Sequence, residues 1–192
     1  MIAGNKIHVA SLIALEACGL PTDELVGGIE RIFRATAARW PADLAAARAF
    51  KHLWLDQYLE HERNLVIVAT QTPDITAAAQ NIFGYVVGCQ INPAMSPRFA
   101  ALSHFQDFAV LCATFPAHLH VNIDSHFRNQ RVGERLVEAL CERVADDGST
   151  GIHVVTGREQ RNVGFYKRLG FRELGHAPRG ETEVLFLGRE LR

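Results

Sequence analysis

Apolar and polar residues alternate from His118 to Asp124. Leu119, Val121 and Ile123 fall on one side, and His118, His120, Asn122 and Asp124 on the other. A period of two marks a strand with one buried face. The period then changes. Val132, Leu136, Val137, Leu140 and Val144 form one apolar stripe at helical spacing, which predicts a helix running to about Ala145. A short polar loop with Arg128, Arg131 and Gly133 joins the two.

Other stretches read with varying clarity. Lys6–Leu12 fits a first strand, and Leu12–Ala17 fits a helix equally well. Pro21-Thr22-Asp23 opens a helix with a cap and an acidic first turn. Its stripe is Leu25, Ile29, Ile32 and Phe33, and Trp40-Pro41 breaks it. A second helix runs from Pro41 or Ala42 to about Glu60, with Leu44, Ala47, Phe50, Leu53, Trp54 and Tyr58 inward. Leu65–Thr70 and Ile82–Ile91 are strands of one hairpin, joined by a loop over Gln71–Asn81. Residues 92–116 make a long connector with three prolines and a helix over Phe99–Val110. Gly151–Thr156 is a strand. Glu159–Leu169 is a helix ended by Gly170, and Phe171–Leu174 pairs with Glu183–Leu187. The pattern predicts an α/β (α+β) chain: a mixed sheet of six or seven strands with helices on both faces.

Composition narrows the class. The 192 residues suit one domain, and 48% hydrophobic with 21% charged residues is ordinary for a globular chain. A net charge of −1 gives no electrostatic reason to expect nucleic acid. No apolar run approaches 18 residues, so no membrane span is expected, and the N-terminus lacks the layout of a signal peptide. Cys18, Cys89, Cys112 and Cys141 are scattered without metal-ligand spacing. They read as reduced, mostly buried thiols of a cytoplasmic protein with no metal.

A strand that feeds a loop opening a helix points several unpaired N–H groups at one spot. The helix dipole adds about half a positive charge there, so the turn is an anion site suited to phosphate. Neither G-x-x-x-x-G-K-[ST] nor G-x-G-x-x-G is present. What stands there is Arg128-Asn-Gln-Arg131-Val-Gly133. It resembles the R/Q-x-x-G-x-G/A pyrophosphate loop of the GNAT superfamily of acyl-CoA-dependent N-acyltransferases, with Arg131 where the family usually has its first glycine. Asn162-Val-Gly-Phe-Tyr166-Lys-Arg-Leu-Gly170-Phe171 is similar to that family's N-x-x-[AG]-x-x-Y-x-x-x-GF segment. Gly84-Tyr-Val-Val-Gly88 resembles its third strand. Pro116–Ile123 and Trp54-Leu-Asp-Gln-Tyr58 resemble the acetyltransferase-like domains found alone in bacteria and fused to O-GlcNAc hydrolases in animals.

The resemblance implies a single GNAT-like domain over 1–192, helical over 1–60, with a sheet and acyl-CoA-binding core over 65–192. It implies acetyl-CoA as co-substrate. Contacts would come from Ile123, Asp124, Ser125, Arg128, Asn129, Gln130, Arg131, Val132, Gly133 and Glu134, and from Asn162 and Tyr166. Tyr166 would protonate the departing thiolate. The strand starting at Gly151 would splay from the strand of Ile123 to admit the thioester. The connector over 92–116 would lie beside the acceptor as a lid. A base must take the proton of the attacking amine. His120 is the first choice, with Asp124, His118 and His104 also in range and a water relay equally open.

Two questions stay open at this point. If the position of Arg131 needs a left-handed backbone, the arginine costs about 1–2 kcal/mol there. If it is only a place of close approach, the side chain moves aside, or it reaches the 3′-phosphate of the cofactor. The chain is expected to be an acetyltransferase for a small-molecule or peptide amine, acting by direct attack, with a homodimer possible. The contrasting expectation is a catalytically silent module that senses acyl-CoA or binds a protein.

Overall fold

The computed structural model describes residues 7–37, 40–70 and 81–191. In chain order these form β1 (His8–Ser11), α1 (Leu12–Ala17), α2 (Thr22–Thr36), α3 (Leu44–Lys51), a π turn (His52–Asp56), α4 (Gln57–His61), β2 (Val66–Thr70) and β3 (Ile82–Cys89). There follow α5 (His104–Asp107), α6 (Ala109–Thr114), β4 (Ala117–Ile123), α7 (Val132–Asp146), β5 (Gly151–Gly157), α8 (Asn162–Arg168), β6 (Arg172–Arg179) and β7 (Thr182–Glu190). The expectation of a mixed sheet of six or seven strands holds: there are seven, mostly antiparallel. Lys6 and the loop expected over Gln71–Asn81, except Asn81, lie outside the described residues.

The residues fall into two compact units: residues 1–88 with 120–140, and residues 89–119 with 141–192. In the first unit the strand order is β1-β2-β3-β4, with β1–β2 and β2–β3 antiparallel. Both alternatives at the start of the chain are realised in succession. The strand ends at Ser11, whose side chain accepts from Ala14 N–H at 3.3 Å and caps α1. α2 buries the expected stripe of Leu25, Ile29, Ile32 and Phe33. Helices cover both faces of β3. A Cβ on Gly84 would meet Val132 and Leu136 of α7. On the other face Asn122 donates to the Tyr85 hydroxyl at 2.9 Å, and Thr36 at the end of α2 donates to Asn122 at 3.0 Å.

The helix expected up to Glu60 begins at Leu44, and Leu44 itself is 66% exposed rather than inward. Further along, a π turn occupies His52–Asp56. The expected Ala47 and Tyr58 are buried, and the extra residue of the π turn brings Leu55 and Leu59 inward beside them.

In the second unit the order is β4-β5-β7-β6. β4 and β5 are parallel over two residue pairs, Ala117↔Ile152 and His118↔His153. β6 and β7 form an antiparallel hairpin longer than expected, with Gly180 at φ 62° in its turn. The connector is not a lid. Phe99, Leu102, Phe105, Phe108, Cys112 and Phe115 are all buried, so it is core to its unit. The single helix expected over Phe99–Val110 is instead a 3-10 turn followed by the short α5 and α6.

Candidate functional site

β4 ends at Ile123, and the chain turns at once. The Asp124 N–H donates to Phe83 O at 2.8 Å, which ties the turn to β3. Asp124 Oδ1 accepts from the His126 N–H at 3.0 Å and meets His126 Nδ1 at 2.9 Å. These bonds close one 3-10 turn over Ser125–Phe127. Phe127 stacks on Phe83, ring centroids 4.2 Å apart. This lone aromatic in a polar loop was the unread signal that the loop is anchored. Gln130 Nε2 then donates to His126 O at 2.9 Å. Asn129 and Arg131 both adopt left-handed backbone, at φ 61° and 62°.

α7 follows. The Arg135 N–H donates to Arg131 O at 3.1 Å, so the amides of Val132, Gly133 and Glu134 stand ahead of the helical ladder. They lie at the positive end of a 15-residue helix. Val132 is buried and sets where that end sits, because Gly84 opposite has no side chain. A Cβ on Gly84 would lie 3.3 Å from Val132 Cγ1, Leu136 Cδ1 and Asn122 O. Gly84→Val is therefore expected to lower stability by about 1–3 kcal/mol through overpacking and to displace the start of α7. The urea midpoint measures the first effect and the Kd for coenzyme A the second. An unchanged midpoint would show that the contact has slack.

The candidate bases separate. Asp124 serves as a turn cap. The hydrogen bonds from His126, backbone and then side chain, hold its carboxylate below the usual range, which makes it a weak proton acceptor. His118 does not lie on an open polar face. It is 2% exposed, against Phe99 at 4.7 Å and Phe105 at 5.3 Å. His104 is buried too, with Arg179 at 3.1 Å from its Nδ1. His120 is half-buried, and Trp54 at 4.9 Å and Tyr58 at 5.5 Å meet its ring at steep angles. Two separate sequence signatures, Trp54–Tyr58 and Pro116–Ile123, thus converge on one imidazole.

In the second unit, Tyr166 is 2% exposed near the end of α8. The Gly170 N–H donates to Lys167 O at 3.2 Å and the Phe171 N–H to Tyr166 O at 3.1 Å, with Gly170 at φ 83°. That is a Schellman cap, and its apolar contact is Phe171 on Tyr166 at 5.4 Å. The Y-x-x-x-GF spacing therefore has a mechanical meaning: the glycine turns the chain, and the phenylalanine fixes the tyrosine ring. Burial pushes the Tyr166 hydroxyl well above the ordinary phenol range, so it is protonated at neutral pH. Asn162, one turn earlier, accepts from Thr156 Oγ1 at 2.9 Å. Thr156, at the exposed end of β5, carried no sequence signal of that role.

A family model described as an acetyltransferase (GNAT) domain matches residues 62–173, which hold the loop, β4, β5 and Tyr166. The chain belongs to the GNAT acetyltransferase family. Solved GNAT structures share its fold over nearly the whole length. The ribosomal-protein-S18-alanine N-acetyltransferase of Escherichia coli aligns with TM-score 0.59 and 14% identity, covering 97% of this chain and 94% of that one. A GNAT-family acetyltransferase of Desulfovibrio desulfuricans, described as putative, aligns with TM-score 0.63 and 16% identity, over 96% and 99%. The NatC complex bound to Gag peptide and CoA aligns with TM-score 0.60 and 14% identity, over 97% and 99%. Among the described residues no cluster of three or more His, Cys, Asp or Glu is placed to hold a metal. No described helix is long and apolar enough to cross a membrane.

Against the GNAT loop pattern, the open question at Arg131 resolves to the left-handed alternative. Its guanidinium stands 81% exposed in solvent, with Nε 3.2 Å from Glu134 Oε2. An exposed pair of this kind contributes only tenths of a kcal/mol. Arg131→Gly is therefore expected to stabilise the chain by about 1 kcal/mol, the left-handed strain relieved less the greater entropy of glycine when unfolded. A thermal melt should then rise by roughly 2–4 °C. A lower Tm would show that the arginine contributes more than its geometry suggests.

Proposed function

We propose that this chain transfers acetyl from acetyl-CoA to a primary amine by direct attack within a ternary complex. One observation carries the reading. The amides of Asn129 to Glu134 gather at the start of α7, on a turn with two left-handed residues, and Arg131 points away to Glu134. Successive N–H groups at a helix start suit a diphosphate. Arg128, exposed beside them, would add a charge-assisted hydrogen bond of about 1.5–3 kcal/mol. Backbone groups from Ile123 to Ser125 and the Asn162 amide would meet the pantetheine arm. The two-pair ladder between β4 and β5 is consistent with strands that part to admit a thioester. Within the family we place the chain nearest the acetyltransferase-like domains related to those fused to O-GlcNAc hydrolases, on the two signatures that meet at His120.

The chemistry follows from the groups available. The amine nitrogen attacks the thioester carbonyl, the C–N bond forms and the C–S bond breaks. His120 takes a proton from the nitrogen and Tyr166 gives one to the thiolate. Burial raises the phenol, but a dry site raises a thiol as well. Phenol and thiol move in the same direction when buried, so the acid stays protonated for the leaving group. Burial pushes the Cys112 thiol up to about 12 and Cys89 and Cys141 are also buried, while the exposed Cys18 lies beyond α1, away from the loop and β4 in sequence; this supports direct attack over an acyl-cysteine route.

The test is a titration with acetyl-CoA followed by release of free thiol on adding amines. Saturable binding with amine-dependent thiol release is the expected result. Absence of binding at millimolar acetyl-CoA would return the chain to the silent-module reading.

A further inference from the structure

β4 and β5 pair only at their starts. Among the described residues their ladder holds Ala117↔Ile152 and His118↔His153, and no pair follows as the two strands run on. Pro116, just before β4, has no N–H and cannot donate a rung ahead of Ala117. So short a ladder is a weak hold on the point where the strands part, since parallel pairing is slightly the less stable kind.

Side chains of β5 supply a further attachment in the second unit. Gly151 and His153 share one face of the strand, and Phe115 lies across it. A Cβ on Gly151 would stand 2.6 Å from Phe115 Cδ1 and 3.3 Å from its Cα, so glycine is what lets the chain come this close. Two residues on, His153 Nδ1 lies 2.6 Å from Phe115 O. A carbonyl only accepts, so Nδ1 carries the proton and donates it. Nε2 is then the acceptor that faces the Cys112 thiol at 3.9 Å. The imidazole is fully buried, stacked on Phe186 at 4.5 Å with Phe105 edge-on at 5.8 Å. A phenylalanine would fill such a space with no polar atom to satisfy. What the imidazole adds is a bond tying Phe115, and through Pro116 the start of β4, to β5.

Resting on the acetyltransferase reading, we propose that His153 is a positioning residue: its bond to Phe115 O fixes where β4 leaves β5, and so where the thioester carbonyl is seated. It acts through the backbone of Phe115, Pro116 and Ala117. A displacement of about 1 Å at a reacting group can cost on the order of 10²-fold in rate, so a partial slip at the fork is read in kcat.

Asparagine and glutamine separate this role from packing. Counted in bonds from Cβ, the Asn amide nitrogen falls where Nδ1 stood, and the Gln amide nitrogen where Nε2 stood. Both lose the stacked ring, and Asn leaves the larger void. A role in packing alone therefore ranks Gln at or above Asn, whereas the bond to Phe115 ranks Asn above Gln.

Thiol release from acetyl-CoA is followed with ethylamine, spermidine, 2-phenylethylamine and trialanine, and the best acceptor is kept. His153→Gln should lower kcat about tenfold while the Kd for coenzyme A stays within about twofold. His153→Asn should keep kcat within about threefold of the wild type, even if it melts lower. Equal losses of kcat, losses that follow the melting temperatures, or a matched loss of coenzyme A binding overturn the proposal. The wild type gives a second reading that needs no variant. By linkage, a bond that favours the seated thioester is itself favoured when acetyl-CoA binds. A long-range 1H–15N spectrum should show His153 as the Nδ1–H tautomer, with that proton exchanging more slowly once acetyl-CoA is bound. The Nε2–H tautomer, or exchange that acetyl-CoA leaves unchanged, overturns the proposal. If the wild type binds coenzyme A and releases thiol, such results remove the positioning role alone. If it does neither, the transferase reading falls and this role with it.

Discussion

Tyr166→Phe lowers kcat by roughly 10²-fold or more, the usual contribution of a positioned proton donor, and leaves the Kd for acetyl-CoA near that of the wild type. The first half follows from the proposed acid role, the second from the geometry. The phenol is buried between Phe165 and Phe171 and held by the Schellman cap, so the ring of phenylalanine takes the same place. Only the hydroxyl is removed. A thiolate left without an acid must depart as the anion in dry surroundings, where burial disfavours charge. Single-turnover kinetics with a good amine separate chemistry from product release. An unchanged single-turnover rate at saturating substrate would remove Tyr166 from the acid role, and a matched loss of acetyl-CoA binding would make it a structural residue.

Stability falls as the pH drops below about 6.5, and His104 is the reason. Its pKa is lowered to about 4, chiefly by burial and then by the Arg179 guanidinium, with Asp107 opposing. A histidine with a depressed folded-state value binds its proton more readily when unfolded. Its contribution is complete above the unfolded value near 6.5 and is lost as the pH falls through the window from 6.5 to 4. The full window is worth on the order of 3 kcal/mol. His104→Gln keeps an acceptor for Arg179 and cannot take up the proton. Urea midpoints at pH 7 and pH 4.5 should therefore diverge less in the variant than in the wild type. Equal divergence would assign the acid sensitivity to other groups.

Local periodicity carried much of the fold. β4, α7 and the stripe of α2 were legible because each repeats one spacing against one neighbour. His118 was misplaced because alternation assumes a wet face, and here Phe99 and Phe105 cover it. The connector misled for a similar reason. Its prolines suggest a mobile segment, while Phe99, Leu102, Phe105, Phe108, Cys112 and Phe115, at spacings of three and four, already describe a buried face. At the loop, residue types pointed to an anion site, but side-chain chemistry does not set φ, so the backbone at Arg131 was not readable. Gly170 was readable because a glycine after an apolar helical stretch has one common use. His104 was beyond reach, since its partner Arg179 is 75 residues away.

The π turn at His52–Asp56 works as a phase corrector. Losing one residue there would restore uniform α winding with the phase after it kept, whereas rewinding it as α-helix with every residue retained would rotate everything after it by about 100°. In that rewound helix the segment Gln57–His61 would present a different edge to β4, and Tyr58 would swing off the imidazole of His120. In this chain, where His120 meets its aromatic neighbours is a matter of how a helix is wound as much as of residue identity.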